Sequence, residues 1–94
     1  MVSNTPQPRS VAHSILIKVR RDGAWAERAL SSAFTRSTLS PRDRSLVTDI
    51  VYGTIRHTIC IDYHLNRLAK KPLRKLPLTA QCALRLGAYQ ILYT

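Results

Sequence analysis

From Val47 to Leu68 one stripe runs without a phase slip. Advancing 100° per residue, Val47, Ile50, Val51, Thr54, Thr58, Ile61, Leu65 and Leu68 all stay on the same side of a helical cylinder. A period of 3.6 held over so many turns excludes a strand and predicts one long helix. Its start is marked by Ser40-Pro41-Arg42-Asp43, which supplies an N-cap hydroxyl, a proline at the first helical position and an acidic residue three on. The helix is expected to cross Gly53 and reach about Ala69, roughly 40 Å at 1.5 Å per residue. Tyr52, Ile59 and Tyr63 form a second, opposite stripe, so such a helix requires neighbours on both sides.

Three further helices are expected around it. Ser10 can cap a first helix that runs to about Asp22 and stops at Gly23, with Val11, Ile15 and Val19 as its stripe and Ala12 and Leu16 widening it. A second, from Trp25 to about Thr35, places Trp25, Ala29, Leu30, Ala33 and Phe34 at helical spacing, with Trp25 as its anchor. Lys70-Lys71-Pro72 ends the long third helix, and a fourth begins near Leu76-Pro77 and runs toward Tyr93. The fourth is apolar nearly all round, the pattern of a helix buried inside a bundle. No segment has a strand period. The expected fold class is therefore all-α, with residues 1–8 as a flexible leader and residues 9–94 as one helical domain. Both apolar faces of the third helix and the apolar fourth helix lead to the expectation that the domain is truncated after the fourth helix. Its covering helices would lie outside this sequence or come from a partner.

The chain has 94 residues, the size of one small domain, which excludes a multidomain enzyme. Fifteen Lys and Arg against five Asp and Glu leave a formal charge of +10, and the natural partner of such a field is a polyanion. Eleven of those cations are Arg, which suits bidentate contact with phosphate. Two clusters stand out: Lys70, Lys71, Arg74 and Lys75 around Pro72, and Lys18, Arg20 and Arg21 late in the first helix, with Arg9 at that helix's start. These eight are the candidate phosphate contacts. Arg36, Arg42 and Arg44 bracket the loop before the third helix and can join either surface, or Arg44 can pair with a nearby carboxylate. The polar leader, the lack of a membrane-length apolar run and the two unpaired-looking cysteines lead to the expectation of a cytoplasmic protein without a membrane partner.

Catalytic chemistry is not visible in the residues. His57, Cys60 and His64 fall on one flank of the predicted long helix, yet no further Cys or His stands nearby to complete a zinc site, so they read as residues at the edge of the core. Cys60 and Cys82 read as packing residues, and His13 as solvated. The acids Asp22, Glu27, Asp43, Asp49 and Asp62 are scattered, with no couple for general acid–base work. The glycines at 23, 53 and 87 stand alone, so there is no phosphate-cradling loop.

Ser40-Pro41-Arg42-Asp43-Arg44, followed by Leu46-Val47-Thr48-Asp49-Ile50-Val51-Tyr52-Gly53-Thr54-Ile55-Arg56, resembles the NusB-like domain of bacterial rRNA 5-methylcytosine methyltransferases. Leu84-Arg85-Leu86-Gly87-Ala88-Tyr89-Gln90-Ile91-Leu92 resembles the same family's second hallmark, and the stretch from Arg9 to Ala24 its opening helix. The resemblance implies an all-helical RNA-binding domain, related to the antitermination factor NusB, that helps seat ribosomal RNA for a catalytic domain using S-adenosylmethionine. That domain and cofactor are outside this sequence, so this chain is expected to be no enzyme by itself. The family's catalytic cysteines stand in Pro-Cys and Thr-Cys motifs, which neither Cys60, after Ile59, nor Cys82, after Gln81, matches. The Arg-rich start of the first helix in NusB itself is here reduced to Arg9, which favours the methyltransferase branch. Asp43, Gly53 and Tyr89 match hallmark positions whose expected roles are structural: a capping acid, a close helix crossing and a buried aromatic. The expected partner is RNA, in particular ribosomal RNA. Protein partners would be the chain's own methyltransferase domain or a ribosomal protein, and the alternative function is antitermination or a protein-docking helical module.

Overall fold

The computed structural model describes residues 7–94, and the expected leader falls outside the described residues as far as Pro6. Among the described residues there are five α-helices and one short 3-10 turn, and no strand. The helices are α1 (Pro8–Asp22), α2 (Ala26–Arg36), α3 (Pro41–Arg56), α4 (Thr58–Leu68) and α5 (Leu78–Tyr93), with the 3-10 turn at Leu73–Lys75. The all-α expectation is met.

Helix α1 starts two residues before the expected cap. Pro8 takes the first helical position, where its missing N–H costs nothing, and Gln7 rather than Ser10 precedes it. The helix stops at Gly23, whose φ of 65° lies in the left-handed region that favours glycine. Helix α3 opens as expected, with Ser40 Oγ accepting the backbone N–H of Asp43 at 3.2 Å.

The predicted single long helix is instead two. His57 adopts φ −103° and ψ 14°, outside the α region, and separates α3 from α4. The break is shallow, because the His57 N–H still reaches Gly53 O at 3.0 Å and the Ile61 N–H reaches His57 O at 2.9 Å. Thr58 Oγ1 donates to Thr54 O at 2.7 Å across it. The ring of His57 stacks on Tyr93 with centroids 3.9 Å apart, so the break is braced from α5. A one-residue interruption keeps the apolar phase nearly intact, which is why periodicity alone reads through it.

The core lies where α1, α2, α3 and α5 meet: Ala12, Ile15 and Leu16 from α1, Leu30 from α2, Leu39 from the loop, Val47, Ile50 and Val51 from α3, and Cys82 and Leu86 from α5. Burying each large aliphatic side chain there contributes about 1.5–3 kcal/mol. Trp25 is not the anchor of α2. It stands just before Ala26 with extended backbone, off the helical stripe, and is 78% exposed, while Leu30 fills the anchoring role. The stripe on α4 also ends differently from expectation: Ile61 is buried, but Leu68 is 84% exposed because α4 packs mainly on α5.

Gly53 and Tyr89 set the crossing of α3 and α5. A methyl group at Gly53 would overlap the Tyr89 ring, so only glycine admits the buried aromatic there. The ring's hydroxyl donates to Asp49 Oδ1 at 3.1 Å, one turn back along α3.

Candidate nucleic-acid interface

The basic loop after α4 is a built feature rather than a slack connection. Asn66 Oδ1 accepts the Leu73 N–H at 2.7 Å, and the Lys75 and Leu76 N–H groups bond to Pro72 O and Leu73 O, each at 3.0 Å. The side chain of Leu73 is buried. Around this apolar plug Lys70, Lys71, Arg74 and Lys75 are all exposed, so the loop presents four cations from a fixed backbone.

The second cluster does not form one face. Lys18 lines a cavity of about 230 Å³ between α1 and α2, together with Arg36. Arg20 lies on another side, lining a cavity of about 250 Å³ with residues of α3, α4 and α5. Arg21 is exposed and held by its neighbour, with Nε 3.0 Å from Asp22 Oδ1, and this bond holds the Asp22 carboxyl below its usual range. Lys18 and Arg21, three residues apart, share a side of α1, whereas Arg20 between them falls on another side and is separated from both. Arg9 donates from Nε to Gln90 Oε1 at 2.8 Å, tying the start of α1 to the end of α5. His13, expected to be solvated, is half-buried, and its ring Nε2 lies 2.8 Å from Thr79 O. Arg44 has no carboxylate partner among the described residues; its guanidinium lies over the Phe34 ring at 5.7 Å.

The clearest feature missed in the sequence is an ion pair. Arg85 of α5 is only 6% exposed and donates through Nε and Nη2 to the two carboxylate oxygens of Asp62 on α4, at 2.8 and 3.1 Å. An arginine one turn from both Cys82 and Tyr89 on a buried face demands a carboxylate, and that demand was the available clue.

The His57, Cys60 and His64 flank does not assemble a metal site. His57 sits at the helix break against Tyr93, and His64 packs edge-on to Tyr63 at 5.5 Å. Among the described residues no group of three or more His, Cys, Asp or Glu is placed to hold a metal ion. The two cysteines part ways. Cys82 is buried, and that burial pushes its thiol pKa up, as fits a packing residue. Cys60 is exposed, contrary to its expected packing role, because it lies beyond the break on the outer side of α4. The nearby Cys60 thiol holds the Tyr93 phenol pKa above its usual value.

An uncovered apolar face completes the surface. Leu68 of α4 and Leu84, Ala88 and Ile91 of α5 line a groove of about 380 Å³, with Ile91 83% exposed. No described helix is long and apolar enough to cross a membrane.

A basic helical domain with α3 and α5 locked at a glycine–tyrosine crossing defines the class, and the comparisons agree: residues 6–94 match the NusB family, and the chain belongs to it. Among curated proteins it is similar to a probable ribosomal RNA small subunit methyltransferase B of Bacillus subtilis, 36% identical over 85 residues that cover 90% of this chain and 19% of the relative. It is 38% identical over 83 residues to the ribosomal RNA small subunit methyltransferase B of Thermus thermophilus, covering 88% of this chain and 20% of that protein. The chain thus spans about a fifth of the length of these relatives. The aligned part is their NusB-like region, and no methyltransferase domain lies within these 94 residues. The S-adenosylmethionine site implied by the resemblance accordingly falls outside this sequence. No solved structure matches the chain.

Proposed function

We propose that this chain is a cytoplasmic RNA-binding module that seats ribosomal RNA for a methyltransferase domain. The observation that carries the reading is the rigid basic loop, in which Lys70, Lys71, Arg74 and Lys75 surround the buried Leu73 on a chain of net charge +10. Arg9, Lys18, Arg20 and Arg21 are further phosphate contacts, reached by RNA that wraps past the loop rather than resting on one flat face. The names of the relatives point to small-subunit ribosomal RNA.

Fluorescence anisotropy with small-subunit rRNA segments across a salt series tests the reading. A steep fall of affinity with salt is expected. Salt-insensitive or absent binding by the folded chain would overturn it.

The uncovered groove of α4 and α5 favours a second reading, a protein-docking module of the antitermination type, in which Leu68, Leu84 and Ile91 meet an apolar partner such as a ribosomal protein or the chain's own methyltransferase domain. Its mark is complex formation that persists at high salt.

A further inference from the structure

The outward face of α5 carries no charge, on a chain whose net charge is +10. The only charged residue of this helix, Arg85, is buried and paired with Asp62. Helices α1, α2, α3 and α4 each expose arginines, so two copies that met through them would bring like charges together. Among the described helices α5 alone lets two such basic bodies touch without that repulsion at the contact.

The shape of the face is suited to pairing with itself. Positions 84, 87, 88 and 91 lie on one side of α5. There Ile91 stands 83% exposed beside a low floor of Gly87 and Ala88, and Leu84 with Leu68 of α4 completes the groove. A ridge and a floor one turn apart on one face are what an isologous contact requires, because a two-fold axis midway between them lays each ridge on the other copy's floor. Leu68, Leu84, Ile91 and Leu92 leave on the order of 400 Å² of aliphatic surface open per copy, below the roughly 800 Å² per partner of a standard interface, which sets a weak, reversible pairing.

We infer that this chain forms a two-fold dimer through the α4–α5 groove, with the two α5 helices antiparallel and Ile91 of each copy seated on Gly87 and Ala88 of the other. The inference rests on the docking reading of this groove and deepens it by naming a second copy as the partner; it is independent of the RNA reading. Since the contact is apolar and both bodies are positive, salt strengthens it, the reverse of its effect on phosphate binding.

Sedimentation velocity across a series of protein concentrations tests the dimer, with circular dichroism melts alongside. The average mass of the wild type is expected to rise from that of one chain, 10.6 kDa, toward twice that value. A Kd on the order of tens of micromolar fits so small an interface, and it should tighten as salt is raised. Ile91→Glu is expected to weaken the dimer more than about tenfold, because two carboxylates then enter the apolar contact. Ile59→Glu makes the same change of charge at a site that is 90% exposed and outside the groove, and should dimerise as the wild type does. Both positions are open to solvent, so both variants keep the fold. A dimer that survives Ile91→Glu, or that both variants weaken equally, overturns the assignment of the face, and a dimer that dissolves in high salt overturns its apolar basis. A folded wild type that stays monomeric overturns self-pairing, and the uncharged dye Nile red then separates the two readings. Dye binding that Ile91→Glu abolishes leaves the groove to an unlike partner, whereas no binding at this face overturns the docking reading as well.

Discussion

Arg85 reaches from α5 to α4 and holds both carboxylate oxygens of Asp62, at 2.8 and 3.1 Å, from a position almost closed to solvent. The pair joins α4, which has little contact with α3, to the rest of the bundle. Removing one partner leaves the other buried without compensation. Asp62→Asn is expected to destabilise the chain by about 3 kcal/mol, and the double replacement Asp62→Leu with Arg85→Leu by clearly less, since buried pairs are costlier to break than to replace. Urea denaturation of the three chains decides it. Equal losses in the single and double variants would refute the account.

The two helical glycines should respond in opposite directions. Gly53→Ala drives a methyl into the Tyr89 ring, and overpacking of this kind costs about 1–3 kcal/mol or more. A Cβ at Gly87 meets nothing within 4 Å, so Gly87→Ala should stabilise α5 by up to about 1 kcal/mol through helix propensity alone. Thermal melts of both variants are sufficient. A shift of the same sign in both would contradict the crossing geometry.

Alkaline pH should act through Tyr89. Burial, followed by its bond to the Asp49 carboxylate, raises the phenol above its ordinary value of 10.0. An acid whose pKa is raised on folding stabilises the folded state in full below about pH 10, and that contribution is lost as pH climbs through the folded value. The melting temperature of the wild type is expected to fall more steeply above pH 10 than that of Tyr89→Phe. At neutral pH the variant should be less stable by about 1 kcal/mol, for the missing hydrogen bond. Parallel pH profiles would remove Tyr89 from the explanation.

Replacing Lys70, Lys71, Arg74 and Lys75 together by Ala should reduce the slope of log affinity against log salt by about 0.7 to 0.9 for each phosphate left without its cation. Since these side chains are exposed and the Asn66–Leu73 bond survives, the melting temperature should hardly change. The ratio of slopes by anisotropy is the readout. An unaltered slope would move the RNA to the α1 side.

The helices were legible where local chemistry agrees with periodicity. Ser40-Pro41 announced α3, and the roles that the family resemblance implied for Gly53 and Tyr89 are those the structure shows. His57 was not legible, because its break costs one residue of register and leaves the stripe in phase. Trp25 misled for a related reason: hydrophobicity suggested burial, but its place just outside α2 decided exposure. On the candidate interface, the loop cations were legible as a run, whereas the environment that separates Arg20 from Lys18 depends on which helices pack on each side of α1. The cavity beside Arg20 draws on four helices and has no trace in any single segment.

The few acids of this chain are mostly spoken for. Asp22 is held by Arg21, Asp49 receives Tyr89 and Asp62 receives Arg85, so three of the five carboxylates are engaged by partners, and two of them join one helix to another. Most cations carry no such duty. Over sequence drift, the positive charges of this domain can migrate from one exposed site to another while its overall field survives, but the carboxylates of Asp49 and Asp62 are fixed in place by the architecture they fasten.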